Sequence, residues 1–293
     1  MLTERISPRF VDLDAWDTGE ALEAMLEGQM SAVAAVRGAL PAIASAVDRA
    51  ATALDQNGRL IYLGAGTSGR VAAQDGAELP PTFDWPVERV IFAMAGGPGA
   101  FVASVEGAED DEADALKMLD QARLTPNDVV IGVAASGTTP FTVAGTRHAT
   151  QMGALSIGIA NNPGTPLLAA AKCPILIETG SELIAGSTRM KAGTAQKIVL
   201  NLLSTGIMVR LGRIYRGMMV NMHVSNAKLR RRAEVIVSRI AGCDLKAAQA
   251  ALTKAGGDMK LAVLLVLGVA PEEAQRKLAR HGHNLRLALA DIG

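Results

Sequence analysis

Five short apolar runs, each followed by a helical stretch, are the feature that most restricts the fold of this chain. The runs are predicted strands at residues 59–63, 89–94, 128–133, 154–159 and 174–177. Helical patterns follow them near residues 69–78, 109–122, 140–152, 166–171 and 190–211. Parallel strands need crossover helices between them, whereas antiparallel strands are usually joined by short turns. The alternation therefore predicts an α/β protein with a doubly wound, five-stranded parallel sheet sandwiched by helices.

Helical segments flank the alternating region on both sides. Residues 18–52 place apolar side chains at steps of three and four, and Pro41 is predicted to end one helix and begin the next. From about residue 220, short helical stretches are separated by glycines, which favours a compact helical module. We predict three parts: an N-terminal helical segment at 1–54, an α/β domain at 55–217 and a C-terminal helical module at 218–293.

Charge and aromatic content argue against a nucleic-acid-binding protein. The 293 residues include 29 Lys and Arg against 29 Asp and Glu, so no basic surplus is available for phosphate backbones. Only 3% of the residues are aromatic, which leaves few rings on which bases could stack. The expected ligand is a small molecule, and no nucleic-acid partner is expected.

Cysteine usage and the apolar runs indicate the cellular compartment. Cys173 and Cys243 lie far apart without metal-ligand spacing, so we expect two free thiols and no metal site. The N-terminal residues lack the apolar stretch of a signal peptide. No uninterrupted apolar run approaches the roughly 18 residues of a membrane span. These patterns predict a cytoplasmic protein without a membrane segment.

The turn after the first predicted strand has the composition of a phosphate site. Residues 60–63 break directly into residues 64–69 (GAGTSG), and a helix is predicted to follow. Glycines let the backbone approach an anion closely, and a helix N-terminus directs unpaired N–H groups toward it. Residues 136–139 (SGTT) stand in the same relation to the third strand. The hydroxyls of both turns are predicted to bind one ligand through Thr67, Ser68, Ser136 and Thr139.

Two nucleotide-binding interpretations fit the first turn poorly. Gly64, Gly66 and Gly69 match the dinucleotide fingerprint, but the acidic residue expected at the end of the second strand is missing. No lysine follows in the pattern of a nucleotide P-loop. A compact phosphate monoester therefore fits better, and no cofactor is expected. For Ser136 and Thr139, simple capping of a helix start remains an alternative.

Two glutamates follow the first and second strands in glycine-flanked segments. Glu78 closes the predicted helix before Pro80 and Pro81, and Glu109 lies in an acidic run. Most glutamates are solvated, and an acidic run also stabilises a helix start. At the ligand edge, two carboxylates could act as acid and base, provided that their surroundings separate pKa values that ordinarily lie near ~4.3. We therefore predict that Glu78 and Glu109 are catalytic.

Several longer stretches resemble the N-acetylmuramic acid 6-phosphate etherases, which are built on the sugar isomerase (SIS) fold. The matching stretches are residues 59–69 (RLIYLGAGTSG), 78–82 (ELPPT), 105–110 (VEGAED), 134–140 (AASGTTP) and 186–197 (GSTRMKAGTAQK). The tail is similar to the small ubiquitin-associated (UBA)-like helical module of that family. The resemblance implies that residues 55–217 form an SIS sugar-phosphate-binding catalytic domain.

The resemblance also implies a reaction. The D-lactyl ether of N-acetylmuramic acid 6-phosphate would be cleaved by elimination, and water would then add, giving N-acetylglucosamine 6-phosphate and D-lactate. Glu109 would remove the C2 proton of the open-chain sugar, and Glu78 would protonate the departing ether oxygen. This carbon–oxygen lyase would serve the catabolism and recycling of peptidoglycan amino sugars, with no metal and no cofactor.

Substrate contacts and a partner follow from the same resemblance. The expected binding residues, chiefly for the phosphate, are Gly66, Thr67, Ser68, Ser136 and Thr139. In the loop after the fifth strand, residues 178–191, Lys191 and Arg189 are cationic candidates, with a solvated surface position as the alternative, and Glu182 is a candidate for orienting the sugar. The family pattern also implies a homodimer.

Two other functions remain open on the same scaffold. One is a sugar-phosphate-binding regulator of the glucokinase regulatory protein type, which pairs two such domains in a longer chain. The other is a phosphosugar isomerase, whose chemistry also begins with removal of a C2 proton. The single domain copy and the two glutamates favour the etherase.

Overall fold

Five parallel strands form the central sheet in the order β2-β1-β3-β4-β5. The computed structural model describes residues 1–103, 105–222, 224 and 226–292. The strands are β1 (Leu60–Gly64), β2 (Val90–Met94), β3 (Val129–Val133), β4 (Leu155–Ala160) and β5 (Cys173–Leu176). Every strand begins and ends within one residue of its predicted position, and the predicted parallel sheet is confirmed.

The helices that follow strands lie close to their predicted positions, whereas the short helix Leu79–Phe83 was not predicted. They are α1 (Thr18–Asp55), α2 (Gly66–Ala77), α3 (Leu79–Phe83), α4 (Glu112–Ala122), α5 (Pro140–Gln151), α6 (Pro166–Ala170) and α7 (Lys191–Arg210). A short antiparallel pair follows, β6 (Ile214–Tyr215) with β7 (Met218–Met219). The last helices are α8 (Ala227–Ala241), α9 (Leu245–Lys254), α10 (Met259–Val266), α11 (Pro271–Arg280) and α12 (Leu285–Ala290).

The alternation of side chains along β1 shows that helices cover both faces of the sheet. Successive side chains of a strand point to opposite faces. Ile61 and Leu63 pack in one buried cluster with Leu119 of α4 and Phe141 of α5. Tyr62, on the opposite face, donates a hydrogen bond to Asp75 of α2 over 3.1 Å. The sheet is therefore sandwiched by helices, as predicted.

Asp75 is the centre of a buried polar network on the α2 face. It is 2% exposed, and its oxygens accept hydrogen bonds from Tyr62, from Asn201 over 2.6 Å and from Ser204 over 3.2 Å. Burial raises the pKa of Asp75, while the three donors and the charge of Lys197 oppose that rise. Because Asn201 and Ser204 belong to α7, the network ties α2 and α7 to β1.

The prediction of two helices separated at Pro41 was wrong. The helix α1 runs without interruption from Thr18 to Asp55, with Pro41 inside it. An interior proline costs a helix about 3 kcal/mol because it removes a hydrogen bond and crowds the preceding turn. Ala39 and Ile43, on either side of Pro41, are both buried. Burial of this face on both sides of the proline offsets that cost.

The same helix is long and apolar enough to cross a membrane, by length and composition alone. Its most apolar window has a mean hydropathy of 1.5, and 33% of that window is buried within the protein. Counting uninterrupted apolar residues misses α1, because alanines spread along the helix raise its mean hydropathy. A core helix satisfies the same criteria, so these values by themselves assign no membrane location.

The described chain forms two units that differ from the predicted three parts. The first unit contains Met1–Ala77 and Glu88–Ile207, and it holds the five-stranded sheet. The second unit contains Glu78–Val87 together with the residues from Met208 onward. Its buried core includes Val237, Ala262 and Leu264. The division at 54/55 and 217/218 stays a prediction about domains.

A buried ion pair joins β1 and β3 at their N-terminal ends. Asp128, 1% exposed, accepts hydrogen bonds from the Arg59 backbone N–H over 2.8 Å and from its guanidinium over 2.7 and 3.1 Å. The backbone N–H of Thr125 adds a further hydrogen bond of 2.8 Å. Burial alone would raise the pKa of Asp128, but these donors outweigh it and hold the pKa below its ordinary value.

We expect Asp128→Asn to lower the free energy of unfolding at pH 7 by about 2 kcal/mol, because the half-buried Arg59 guanidinium loses its charge partner at a buried position. Because the pKa of Asp128 is lower in the folded protein than in the unfolded chain, its ionised form stabilises the fold fully at pH values above the unfolded-state pKa, near ~3.9. This stabilisation is lost as the pH falls through the folded-state pKa. The difference in the free energy of unfolding between wild type and Asp128→Asn should therefore be largest at pH 7 and should decrease as the pH falls. Urea titrations between pH 7 and pH 3 measure it.

The pair of Arg9 and Glu27 supplies the control. Their hydrogen bonds of 2.9 and 2.6 Å are also bidentate, but both side chains are 58% exposed. Exposed pairs contribute little because water screens them. Glu27→Gln should change the free energy of unfolding much less than Asp128→Asn does. A stability difference between wild type and Asp128→Asn that increased in acid would contradict the proposed role of the ion pair.

Candidate active site

The ends of β1, β2 and β3 lie at one level of the sheet. In the register of the parallel pairs, Gly64 stands beside Met94 on one side and Val133 on the other. Neighbouring strands are about 4.8 Å apart, so the turns that follow these strands start next to one another. The predicted gathering of the turns after the first three strands at one edge is therefore observed. The β1 turn lies in the middle of the three.

The β1 turn forms the start of α2. The helix begins at Gly66, which has a positive φ of 53°, so Thr67 and Ser68 lie in its first turn and are half-buried. A Cβ atom placed on Gly69 would meet the sulfur of Met94 and would lie 2.8 Å from the Gly64 carbonyl oxygen. This close backbone approach sets the helix N-terminus directly on the end of β1. The unpaired N–H groups of a first helical turn favour an anion there.

The β3 turn presents the second pair of hydroxyls. Ser136 Oγ accepts a hydrogen bond from the backbone N–H of Thr138 over 3.1 Å and lies 3.4 Å from Thr139 Oγ1. Thr139 occupies the N-cap position of α5, but its side chain makes no capping hydrogen bond. Simple capping of α5 therefore does not account for the Thr139 hydroxyl. Both residues are half-buried at the same sheet edge as Thr67 and Ser68.

The start of α7 adjoins the β1 turn. A Cβ atom placed on Gly193 would lie 3.7 Å from Thr67 Cγ2. Glu182, which is fully buried, accepts hydrogen bonds of 2.9 Å from the backbone N–H groups of Lys191 and Ala192. Its carboxylate therefore holds the first turn of α7 and is already occupied. The Lys191 ammonium donates to the Ser181 carbonyl over 3.0 Å, while Arg189 is exposed.

A cavity of about 260 Å³ lies between the β1 and β2 turns. Its lining residues are Ala65, Gly66, Arg70, Met94, Ala95, Ala100, Val105, Glu106, Gly107, Ala108 and Glu109. The structure thus brings the predicted base, Glu109, to the same cavity as Gly66 at the start of α2. Arg70 and Glu106 were not predicted as site residues. Arg70 follows the glycine turn by one residue, and that position was the available signal.

The other predicted binding residues do not line this cavity. Thr67, Ser68, Ser136, Thr139 and Lys191 are absent from its lining. The order β2-β1-β3 places the hydroxyl turns on the β1/β3 side, where the strand order reverses, and the cavity on the β1/β2 side. Gly66 belongs to both. A ligand spanning the two sides would therefore cross the start of α2.

Glu78 and Glu109 lie in different units of the chain. Glu109 belongs to the first unit and is exposed in a short 3₁₀ turn, Ala108–Asp110. Glu78 belongs to the second unit, where it is exposed at the N-cap position of α3 without a side-chain capping hydrogen bond. Glu78 and Glu109 are thus both exposed to solvent. That they act together as acid and base in one site stays a prediction.

The length of α2 bears on how Glu78 could act. Its twelve residues extend about 16 Å along the axis, at 1.5 Å per residue, from Gly66 to Ala77. Glu78 follows Ala77 directly in the chain. A phosphate held at the start of α2 is therefore separated by the whole helix from the residue that precedes Glu78 in the same chain.

Two domain models define the class of protein. The SIS domain model matches residues 102–205, and the model of the glucokinase regulatory protein N-terminal SIS domain matches residues 42–150. Together with the sheet order and the hydroxyl-rich turns, these matches make the chain an SIS-domain protein. This is the fold class that the sequence predicted.

Full-length relatives identify the family within that class. An N-acetylmuramic acid 6-phosphate etherase of Deinococcus radiodurans is 48% identical over 290 residues, covering 99% of this chain and 95% of that protein. The relative of the same name from Serratia proteamaculans is 45% identical and covers 99% of this chain and 98% of its own. The chain belongs to the N-acetylmuramic acid 6-phosphate etherase family.

Solved structures show the fold more broadly. A Bacteroides fragilis protein, provisionally described as a phosphosugar isomerase involved in capsule formation, matches with a TM-score of 0.51 and 19% identity. The match covers 71% of this chain and 98% of that chain. At this level of identity the likeness shows the fold alone.

Free thiols and possible metal ligands complete the survey of the site's chemistry. Cys173 and Cys243 are both unpaired, and Cys173 lies 3.0 Å from the Arg49 guanidinium. Within residues 1–103, 105–222, 224 and 226–292, no three His, Cys, Asp or Glu side chains gather as metal ligands would.

The contact between Gly64 and Gly69 generates a prediction for two glycine substitutions. Gly69→Ala should lower the free energy of unfolding by about 1–3 kcal/mol, since its methyl group would collide with backbone that cannot move aside. Gly38, inside α1, has open space around its Cβ position. Gly38→Ala should raise stability by about 0.5–1 kcal/mol. Thermal and urea unfolding of both variants measure these changes in the free energy of unfolding. Equal changes in the two variants would contradict the predicted collision at Gly69.

Proposed function

We propose that this chain is a carbon–oxygen lyase that cleaves the D-lactyl ether of N-acetylmuramic acid 6-phosphate. The products are N-acetylglucosamine 6-phosphate and D-lactate. The observation that carries the proposal is the 44–48% identity, over 99% of the chain, with etherases of that name. The cavity that joins Glu109 to the start of α2 supports it, because a base beside an anion site suits a phosphosugar.

The first step is removal of a proton from C2. In the open-chain sugar the C1 aldehyde makes this proton acidic, and Glu109 takes it. The electron pair then moves through the enolate to expel the ether oxygen at C3. The oxygen leaves on D-lactate with a proton from Glu78, and a double bond remains between C2 and C3. This is general acid–base catalysis by two carboxylates.

Addition of water completes the reaction. Glu78, now a carboxylate, takes a proton from water as the oxygen bonds to C3. C2 regains a proton from the acid form of Glu109, so both glutamates return to their starting states. Each bond broken is balanced by one formed, and no electrons are gained or lost overall. Backbone N–H groups at the start of α2 could stabilise the enolate charge.

Binding of the phosphate is assigned to the helix starts around the β1 turn. The proposed contacts are Gly66, Thr67, Ser68, Ser136 and Thr139. The shared edge of β1 and β3, and the Thr139 hydroxyl that makes no capping bond, support this assignment. Lys191 is a further candidate, since α7 begins beside Thr67. Burial lowers the pKa of Lys191, and the charge of Glu182 opposes this.

The proposal includes a homodimer in which the partner copy supplies Glu78. The length of α2 separates the anion site from the start of the Glu78 segment within one chain. A stripe of α1 is both apolar and exposed, which fits a face covered by a second copy. Its members, 46–65% exposed, are Leu22, Leu26, Met30, Val33 and Leu40.

The proposed setting is the cytoplasm, where amino sugars released from peptidoglycan are recycled or used. The substrate is a small, charged molecule in solution, so the proposed activity involves neither a nucleic acid nor a membrane. The zero formal net charge supports the first of these statements. Full-length identity with metabolic enzymes supports the second.

Two other functions fit the same scaffold. A regulator of the glucokinase regulatory protein type would bind a phosphosugar without converting it, and the matching domain model over residues 42–150 favours this as the second candidate. A phosphosugar isomerase would move the C2 proton without losing lactate. Product analysis separates all three outcomes.

Incubation of the purified chain with N-acetylmuramic acid 6-phosphate tests the function directly. We expect stoichiometric D-lactate and N-acetylglucosamine 6-phosphate, measured by an enzyme-coupled lactate assay and by mass spectrometry. Binding without turnover would favour the regulator, and a new sugar phosphate without lactate would favour the isomerase. Either result would overturn the proposal.

Glutamine variants in deuterated water test the roles of the carboxylates. Glu109→Gln should abolish both lactate release and deuterium incorporation at C2, because no base removes the proton. Glu78→Gln should stop lactate release but leave some incorporation, because the proton at C2 is still removed. Lactate assays and NMR of recovered substrate give both quantities. Loss of incorporation in the second variant with retention in the first would reverse the assignment.

Mixing the two inactive variants tests the shared site. In a heterodimer of Glu78→Gln and Glu109→Gln chains, one site would combine two intact carboxylates if Glu78 acts on the partner's substrate. The purified heterodimer should restore about half of wild-type lactate release, since one of its two sites is intact. Differently tagged chains, co-expressed and doubly purified, provide the heterodimer. An inactive heterodimer would place both carboxylates in one chain's site.

A further inference from the structure

The side chain of Arg213 binds the segment Glu78–Val87 within the second unit. Arg213, which follows α7, donates hydrogen bonds from its guanidinium to the carbonyl oxygens of Phe83 and Asp84 over 3.0 and 2.9 Å. The same guanidinium lies 5.2 Å from the ring centre of Trp85. Trp85 is 2% exposed, so the contact is enclosed rather than superficial.

The carbonyl groups that Arg213 binds lie at the C-terminal end of the short helix α3. This helix has five residues, and the last carbonyls of a helix have no partner within it. Asp84 ends α3 in the left-handed conformation, with φ of 51° and ψ of 39°. One guanidinium nitrogen, Nη1, donates to both carbonyl oxygens and thereby stabilises this end of a helix that is too short to be stable alone.

The opposite end of α3 carries Glu78. Two prolines occupy the first turn, and Glu78 precedes them at the N-cap position without any side-chain capping bond. Leu79 and Phe83 are buried, which prevents rotation of the helix about its axis. The direction in which Glu78 points is therefore set by how α3 is fixed, and Arg213 fixes its far end.

The backbone around Arg213 is fixed by α7 and by the start of α12. Its backbone N–H donates to the Met208 carbonyl of α7 over 3.0 Å. A Cβ atom on the preceding Gly212 would lie 2.9 Å from the side chain of Asn284, the residue that caps α12. Gly212 therefore packs closely against the cap of α12, which fixes the point from which the Arg213 side chain extends toward α3.

We propose that Arg213 is a positioning residue for the etherase reaction: it holds Glu78–Val87 so that the Glu78 carboxylate is presented to the departing ether oxygen. This inference rests on the role of Glu78 in the proposed function. It assigns a task to the C-terminal helices, which carry no catalytic carboxylate in that function. Through Asn284 at the cap of α12, they pack against Gly212, the residue before the guanidinium that orients the acid.

Arg213→Gln tests the inference through the same two readouts as the glutamate variants. Lactate release from N-acetylmuramic acid 6-phosphate should fall about 10- to 100-fold, as expected when a catalytic group is displaced by about 1 Å. Deuterium incorporation at C2 should continue, because Glu109 lies in the other unit. Arg213→Lys keeps a cation beside Trp85, but its ammonium ends one bond short of the Nη1 position that donates to both carbonyls, so lactate release should fall less than in Arg213→Gln.

Arg286→Gln is the matched control. Arg286 lies 5.1 Å from the ring centre of Tyr215 in the same unit, which is a similar cation–ring contact at another place. Its loss should leave lactate release unchanged. Emission of Trp85, recorded in chains that carry Trp16→Phe, should move to longer wavelength in Arg213→Gln and stay constant in Arg286→Gln.

Helical content measured by circular dichroism separates positioning from unfolding. If Arg213→Gln loses helix, Arg213→Lys with full helical content becomes the deciding variant. A folded variant without the Arg213 guanidinium that releases lactate at the wild-type rate would overturn the inference. Equal losses of lactate release and of deuterium incorporation at C2 would overturn it as well. Normal lactate release by Glu78→Gln would instead overturn the role of Glu78 in the proposed function.

Discussion

The close approach of Gly64 and Gly69 is the constraint on which the candidate site depends. Because neither residue has a side chain, the end of β1 and the first turn of α2 meet through backbone atoms alone. The helix N-terminus consequently lies at the sheet edge, between the turns that follow β2 and β3. The hydroxyls of Thr67 and Ser68, the β3 turn and the start of α7 are all placed relative to that contact. A bulkier residue at either position would shift every group that surrounds the anion site.

Charged side chains in this protein fall into two groups that burial separates. Asp75, Asp128 and Glu182 are buried, and each accepts several hydrogen bonds that hold strands or helices together. Glu78 and Glu109 are exposed. A buried carboxylate that is hydrogen-bonded within the fold is not accessible to a substrate. An exposed carboxylate can contact a ligand, and the bound ligand then excludes water from around it. The distinction explains why Glu182, a candidate by sequence, is better understood as the carboxylate that holds the start of α7.

Most of the sheet could be predicted from sequence, because five apolar runs of strand length alternate with helical patterns. The gathering of the β1 and β3 turns also followed, since parallel strands share a carboxyl edge. Local rules did not predict the continuity of α1 through Pro41, which depends on burial along the whole helix. They also could not place Glu78 in a different unit from α2. That assignment depends on contacts with residues more than a hundred positions later, such as Arg213, and no local pattern encodes those contacts.

The discontinuous second unit has a consequence for how the chain becomes active as it is synthesised. Residues 78–87 leave the ribosome early, yet they belong to a unit whose remaining residues begin at Met208. Domains generally fold as units once their residues are available, so the first unit can acquire its sheet while the second is still incomplete. The segment that carries Glu78 has no Arg213 to bind until the residues that follow α7 emerge. A chain released before that point would contain the sheet of the first unit but no guanidinium to hold the end of α3.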